Sequence, residues 1–188
     1  MSLFRESDVK ARVVRSYRSG PTLLNEHITK QVGFSQHDIF LSHAYDDKDL
    51  VMGLALMIED LGYSVYIDWR DDLSLDRNRV TSGTAERLRQ RMKTSKCLFY
   101  STTESASQSK WMPWELGYKD GHNNRAAILP ISRQLTDAYN GQEFLGVYPY
   151  VNQDADRQRK ERLWIHRSPT CYVVFDAWLA GQEPMERG

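Results

Sequence analysis

Short apolar segments alternate with amphipathic helices from residue 38 onward, and this alternation limits the fold of the chain more than any other feature. The apolar segments are rich in β-branched and aromatic residues and have the length of buried strands. The predicted strands are residues 38–42, 64–67, 96–100 and 126–131, and the predicted helices are residues 49–61, 83–94 and 111–121. Strands that alternate with helices form βαβ units, whose strands are parallel and whose crossovers are right-handed. The sequence therefore predicts an α/β fold with a parallel sheet.

The C-terminal third of the chain carries a weaker pattern. Residues 146–151 predict a fifth strand, and residues 162–167 either add a sixth strand or replace the fifth. Between them, the charged segment 153–161 predicts a solvated turn, and residues 170–180 fit a closing helix. No internal repeat occurs, and nothing in the sequence supports a second independent domain.

Residues 1–36 are expected to form a helical extension that precedes the α/β domain. Apolar residues recur there at helical spacing, and Gly20-Pro21 ends the predicted helix. We expect this helix to pack on the domain, with a partner-binding or self-association arm as the alternative. The domain itself is predicted over residues 37–181, and residues 182–188 are predicted to be a tail.

Charge balance and cysteine count exclude several classes of protein. Lysine plus arginine and aspartate plus glutamate each number 25, so the formal net charge is zero. A non-specific nucleic-acid binder needs a basic excess, and we therefore expect no nucleic-acid partner.

Two cysteines, Cys97 and Cys171, are too few for a disulfide scaffold or a four-cysteine zinc site, and they fit a reducing cytosol.

The sequence gives no signal for a membrane protein. No apolar run approaches the roughly 18 residues that a membrane span requires. The first residues, MSLFRESDVKARVV, carry charges where a signal peptide needs its apolar stretch. We therefore expect a cytoplasmic protein without a membrane partner.

Several catalytic motifs are absent. The sequence has no G-x-G-x-x-G loop, P-loop, H-E-x-x-H, C-x-x-C or G-x-S-x-G elbow. The five histidines are scattered, so no metal site is predicted. A phospho-receiver domain needs an acceptor aspartate after the third strand, where this chain has Tyr100, Ser101 and Thr102. The segment SHAYDD after the first strand also lacks the glycines of a flavodoxin phosphate loop.

The most informative residues follow directly after the strands, because a doubly wound sheet binds its ligand at the carboxyl ends of its strands. Polar or aromatic side chains stand at each of these places. The residues at these places are Ser42, His43, Ala44, Tyr45, Asp46 and Asp47 after the first strand, Asp68, Trp69, Arg70, Asp71 and Asp72 after the second, and Ser101, Thr102, Thr103 and Glu104 after the third.

Four motifs in order carry a resemblance to a known family. They are HDIFLS, GYSVYIDW, TAERLRQRMKTS and SKWMPWELG, and together they resemble the TIR (Toll/interleukin-1 receptor) domain, in particular the stand-alone TIR proteins of bacteria. The resemblance covers about residues 38–131. It implies a flavodoxin-like, three-layer α/β fold with a five-stranded parallel sheet of order 2-1-3-4-5.

The resemblance implies one of two functions. Many TIR domains cleave the nicotinamide–ribose bond of NAD⁺ and release ADP-ribose or a cyclic ADP-ribose isomer, and in bacteria they act in anti-phage defence, in some cases by making a nucleotide that activates an effector. Others are non-catalytic adaptors that work by TIR–TIR assembly. For this chain we expect the enzyme, with NAD⁺ as substrate and no cofactor. The BB loop, at about residues 69–81, is expected to mediate self-association.

The catalytic glutamate of the family matches Glu86. Nicotinamide leaves as a neutral molecule, so positive charge develops on the ribose, and one nearby carboxylate stabilises it without a general acid. We expect Glu86 in the first turn of its helix, where the helix dipole favours the ionised form by ~0.3–1 kcal/mol. An acidic residue in a first turn is also common without any catalytic role.

The expected substrate-binding residues are Ser42, His43, Tyr66, Asp68 and Trp69, which match positions around the substrate in the family. A histidine that caps a strand end and an ordinary strand tyrosine are the structural alternatives for His43 and Tyr66. One position departs from the family pattern. Many NAD⁺-cleaving members carry tryptophan four residues before the catalytic glutamate, and this chain has Ser82. This departure leaves the stacking contact, and the choice between hydrolysis and cyclisation, open.

Overall fold

A computed structural model describes residues 2–18, 36–72, 75, 81–103, 106, 109–134, 136, 139, 141 and 143–187. Its strands are β1 (Phe4–Arg5), β2 (His37–Ser42), β3 (Val65–Tyr66), β4 (Ser95–Thr102), β5 (Ala126–Ser132), β6 (Tyr150–Ala155), β7 (Glu161–His166), β8 (Cys171–Val174) and β9 (Met185–Glu186). Its helices are α1 (Glu6–Arg18), α2 (Lys48–Asp60), α3 (Asp68–Asp71), α4 (Ser82–Thr94), α5 (Trp111–Asn123) and α6 (Phe175–Leu179).

The parallel part of the sheet has the expected topology. Strands β3, β2, β4, β5 and β6 are neighbours in that order and run parallel, which is the predicted order 2-1-3-4-5. The fifth strand begins at Tyr150, four residues after the predicted start at residue 146, because residues Glu143–Val147 form a 3₁₀ helix.

The sheet continues beyond the parallel strands in an antiparallel direction. Strands β7, β8 and β9 follow β6 in order, so the segment 162–167 adds a strand rather than replacing one. The closing helix predicted over 170–180 is wrong in its first half. The run Cys171–Val174 is aromatic and β-branched and pairs with β7, and the helix begins only at Phe175.

The charged segment 153–161 is only partly a turn. Residues 153–155 belong to β6, and the tight turn that follows is organised by Asp156, whose carboxylate accepts hydrogen bonds from the backbone N–H groups of Gln158 and Lys160. The charged composition of this segment does not indicate a strand, although strand residues that face solvent need not be apolar.

Helix α1 packs on α2, as expected for the N-terminal segment. Val9 and Val13 are buried, and the backbone of Val9 lies so close to Gly53 of α2 that a Cβ atom there would lie 2.4 Å from the Val9 carbonyl oxygen. Strand β1 pairs with β5, with Phe4 opposite Ile131. The boundaries at 36/37 and 181/182 remain predictions, and Gly20-Pro21 lies outside the described residues.

Two apolar layers lie on the two faces of the sheet, as a three-layer fold requires. Successive strand residues point to opposite faces. Ile39 and Leu41 of β2 therefore pack in the layer beneath α1, α2 and α6, whereas Phe40 packs with residues of α4 and α5. Among the described residues, no helix has the length and apolar character needed to cross a membrane.

Candidate functional site

The carboxyl ends of β2 and β3 bring most of the predicted site residues into one region. Ser42 is the last residue of β2, and its hydroxyl donates a 2.6 Å hydrogen bond to Oε2 of Glu115 on α5. Both side chains are buried, and the Ser42 carbonyl accepts a 2.9 Å bond from the hydroxyl of Ser101. The Ser42 hydroxyl therefore joins β2 to α5 within the fold.

His43 forms a buried pair with Asp68. Its Nδ1 lies 2.8 Å from the Leu41 carbonyl oxygen, and its Nε2 lies 3.3 Å from Oδ1 of Asp68. Because a carbonyl oxygen only accepts, Nδ1 carries a hydrogen and Nε2 is the atom that faces the carboxyl group. The two side chains are 1% and 2% exposed, so the pair lies beneath the surface of the site.

Trp69 lies between this pair and the protein surface. The ring of His43 meets the indole edge-on at a centroid separation of 6.5 Å, and the ammonium of Lys48 lies 5.7 Å from the indole centroid. The indole is partly buried against the core. Asp68 and Trp69 open the short helix α3, so the contact between His43 and Asp68 fixes the position of Trp69.

Tyr66 lies in a second polar cluster that reaches α4. Its hydroxyl donates a 2.9 Å hydrogen bond to Oδ2 of Asp72, and Arg91 of α4 contacts both Asp72 oxygens at 2.6 and 2.9 Å. Burial raises the pKa of the Asp72 carboxyl, but the hydrogen bonds from Arg91 and Tyr66 outweigh it and hold that pKa below its ordinary value. Burial, followed by the Asp72 charge, raises the pKa of the Tyr66 hydroxyl.

Arg70, one of the residues that follow the second predicted strand, also holds this segment through buried contacts. Arg70 contacts Oε1 of Glu59 on α2 at 2.9 Å and Oδ1 of Asp71 at 2.9 Å, and it also donates to the Val65 carbonyl. The segment Asp68–Asp72 is therefore fixed by β2, α2 and α4. The sequence identified the run D-W-R-D-D as strand-end residues but did not predict the buried ion pairs of Arg70.

Glu86 lies in the second turn of α4, and the prediction that it occupies the first turn is wrong. Thr81 is the N-cap, and its hydroxyl accepts a 3.1 Å bond from the Thr84 N–H, so Glu86 is the fifth helical residue. The helix dipole stabilises a carboxylate mainly within the first turn, and this stabilisation decreases beyond it. The Glu86 side chain is 53% exposed, and its Oε2 lies 3.2 Å from Nη1 of Arg89.

An open cavity of about 500 Å³ lies at the same edge of the sheet, between β4, β5 and the first turns of α1 and α2. Within the part of the chain that the structure describes, none of the six predicted site residues lines this cavity. Its lining residues are Glu6, Asp47, Leu50, Thr102, Thr103, Ile131 and Arg133. A Glu6–Arg133 ion pair of 3.2 Å and a hydrogen bond from Thr103 to Asp47 already use much of its polar surface.

Most of the expected BB loop lies outside the described residues, since between residues 72 and 81 the structure describes residue 75 alone. Its first residues, 69–72, are described and lie in the fixed segment above. The histidine, cysteine, aspartate and glutamate side chains of the described ranges form no group of three that would hold a metal ion.

Comparison with known proteins supplies four results. A family model described as the TIR domain matches residues 39–164. The "Probable 3' cyclic ADP-D-ribose synthase ThsB'" of Bacillus cereus (strain MSX-D12) is 42% identical over 190 residues, which cover 95% of this chain and 98% of that protein. The "Putative cyclic ADP-D-ribose synthase TIR2" of Cytobacillus dafuensis is 31% identical over 83 residues, 44% of this chain and 22% of that protein.

A solved structure, the TIR domain of the Toll-related receptor TRR-2 from Hydra magnipapillata, is 19% identical with a TM-score of 0.41, and the match covers 58% of this chain and 83% of that one. The family model spans well over half of the chain and contains the four sequence motifs except for the first two residues of HDIFLS. The ThsB' relative extends the similarity to nearly the whole length of both proteins. The chain belongs to the TIR domain family.

Proposed function

We propose that this chain is an NAD⁺-cleaving TIR enzyme that makes a cyclic ADP-ribose in bacterial anti-phage defence. The observation that carries the proposal is 42% identity across 98% of a relative named as a probable 3′ cyclic ADP-D-ribose synthase. The similarity covers 95% of this chain, and it therefore extends beyond the residues 39–164 that the family model matches. The shorter match to the protein from Cytobacillus dafuensis supports the same class of product.

The reaction breaks the bond between nicotinamide N1 and ribose C1′. The electron pair of that bond leaves with nicotinamide, which departs neutral, and the ribose gains oxocarbenium character. A group of ADP-ribose itself then attacks C1′ in cyclisation, whereas water attacks in hydrolysis. In both routes the carboxylate of Glu86 stabilises the positive charge, directly or through the ribose hydroxyls.

The exposure of Glu86 supports this role. The side chain is half-exposed, so a substrate reaches it without rearrangement of the core. Its one described ion pair, with Arg89, spans a single helical turn at the surface, and such pairs contribute only ~0.2–1 kcal/mol. The carboxylate is therefore easily released from Arg89 toward a ligand.

The five expected substrate-binding residues divide into two groups by burial. The side chains of Ser42, His43, Tyr66 and Asp68 are buried, and they support the site by holding the strand ends and the segment Asp68–Asp72 in place. Trp69 is partly exposed, and we assign it the contact with substrate at the surface of this group. With Ser82 at the position of the usual tryptophan, Trp69 is the aromatic group that supplies stacking in our proposal.

Self-association through the BB loop, at about residues 69–81, completes the proposal. TIR domains assemble through such contacts, and the fixed segment Asp68–Asp72 provides the loop with a rigid base. The product is a diffusible nucleotide that acts on an effector, and the enzyme works in the cytoplasm. A non-catalytic TIR adaptor, working by assembly alone, is the second candidate function.

The experiment is incubation of concentrated protein with NAD⁺, with and without a crowding agent, followed by chromatography with mass detection. The proposal expects nicotinamide and a product with the mass of cyclic ADP-ribose, which is one water lighter than ADP-ribose. Release of ADP-ribose alone would make the enzyme a hydrolase. Absence of nicotinamide under both conditions would favour the adaptor.

A further inference from the structure

Arg89 is held by two contacts on two different helices. Its Nη1 lies 3.2 Å from Oε2 of Glu86, one turn earlier on α4. Its guanidinium also lies over the ring of Trp114 on α5, at 5.4 Å from the ring centroid. The Arg89 side chain is 38% exposed, so it remains accessible from solvent beside Glu86.

The proposed reaction breaks one of the two contacts of Arg89 and leaves the other in place. The carboxylate of Glu86 acts on a developing positive charge, and a guanidinium bound to the same carboxylate opposes that charge. Glu86 therefore has to leave Arg89 when it acts on the ribose. The cost is small, because an exposed pair of this spacing contributes ~0.2–0.5 kcal/mol.

The contact with Trp114 is not affected by this change. The indole of Trp114 is partly buried, and a cation over such a ring contributes at least ~0.5–1 kcal/mol, so the guanidinium stays near the site after Glu86 turns away. It then lacks an anionic partner. NAD⁺ supplies one, since its pyrophosphate carries two negative charges close to the nicotinamide ribose, and the planar donor fork of arginine matches phosphate oxygens.

We propose that Arg89 is a substrate-binding residue that exchanges the Glu86 carboxylate for the pyrophosphate of NAD⁺. This inference rests on the proposed function, because it takes Glu86 as the catalytic carboxylate. It gives the site a cation for the phosphates beside the carboxylate for the ribose. Both groups come from one face of α4, one helical turn apart.

The test compares Arg89→Gln, Arg89→Lys and the control Lys93→Gln. Lys93 is an exposed cation on the same helix, one turn beyond Arg89, so the control removes the same charge from α4. The measurements are KM and kcat for NAD⁺, and the dissociation constant of ADP by calorimetry. We expect Arg89→Gln to raise KM and the ADP dissociation constant at least tenfold, Arg89→Lys to raise them less, and Lys93→Gln to leave them unchanged.

Three results would overturn the inference. Unchanged KM and ADP affinity in Arg89→Gln would remove Arg89 from the substrate contacts. A higher kcat at unchanged KM would make Arg89 a restraint on Glu86 instead. An equal effect of Lys93→Gln would assign the change to the general charge of α4.

A wild-type protein that binds ADP but releases no nicotinamide would contradict the proposed function alone, because the calorimetry still reports the role of Arg89.

Discussion

His43 and Asp68 form a buried pair that joins the end of β2 to the start of α3, with Nε2 and Oδ1 3.3 Å apart. The hydrogen on Nδ1 is donated to the Leu41 carbonyl, so Nε2 is the ring atom that faces the Asp68 carboxyl group. The pair positions Trp69 from below, and its own atoms are 1–2% exposed.

Asp68 gives a stability prediction that separates charge from shape. In Asp68→Asn, the amide N–H can donate to Nε2 of His43 and keep the contact. In Asp68→Ala, Nε2 loses its contact with residue 68, and the loss of such a contact at a buried polar atom costs about 1–3 kcal/mol. We expect urea unfolding to show that Asp68→Asn retains most of the wild-type free energy of unfolding and that Asp68→Ala does not. Equal losses in the two variants would contradict the pairing.

Gly53 gives a prediction about the N-terminal helix. A Cβ atom at Gly53 would lie 2.4 Å from the Val9 carbonyl oxygen and 2.8 Å from a Val13 methyl group. Because the Val9 contact is with backbone, Gly53→Ala should displace α1 and lower the free energy of unfolding by about 1–3 kcal/mol.

The matched control is Gly117→Ala on α5, where nothing lies within 4 Å of the added Cβ. This change should stabilise the protein by about 0.5–1 kcal/mol, since alanine is the better helix former. Thermal unfolding compares the two variants, and hydrogen exchange in α1 tests the displacement. Slower exchange of α1 amides in Gly53→Ala than in the wild-type protein would be incompatible with the packing described.

His166 makes stability depend on pH. The ring lies between Tyr150 and Tyr172 on adjacent strands, at centroid distances of 5.3 and 5.1 Å. Burial lowers the pKa of His166, although the contact with the Ser168 carbonyl opposes this shift. Below its ordinary pKa, near 6.5, the unfolded chain therefore binds a proton that the folded state binds less readily, and stability falls as the pH decreases.

The variant His166→Phe keeps a ring between the two tyrosines and removes the titrating group. The free energy of unfolding should then decrease less between pH 7.5 and pH 5 in the variant than in the wild-type protein. Carboxylates titrate in both proteins, so the difference between the two pH profiles isolates His166. Parallel profiles would show that His166 is not the group responsible.

The central elements of this fold follow from local pattern. The strands β2 to β5 and the helices α2, α4 and α5 are each visible as an apolar run or an amphipathic repeat, and their order alone indicates the parallel sheet. Strand β8 was missed because CYVV is followed at once by the helix that begins at Phe175. A continuous apolar run of that length is compatible with a strand and with a buried helix, so the sequence pattern does not distinguish the two.

The candidate site was predictable in position and less so in arrangement. The carboxyl ends of β2 and β3 identify His43 and Asp68, because the rule for doubly wound sheets depends only on topology, whereas Tyr66 came from the family resemblance. Their burial, and the ion pairs of Arg70 and Arg91, depend on contacts between residues far apart in the chain. The turn of α4 that carries Glu86 is set by its cap at Thr81, which the loop sequence did not single out.

Replacement of Glu86 by glutamine tests the central claim most directly. Glutamine keeps the size of the side chain and removes its charge, and Glu161→Gln on the surface strand β7 is the matched control. Nicotinamide release from NAD⁺ should fall about 10²–10³-fold in Glu86→Gln, with an unchanged unfolding transition, because one preorganised electrostatic contact to the transition state is lost. Release at more than a tenth of the wild-type rate, from an equally folded variant, would contradict the assignment of Glu86 as the catalytic carboxylate.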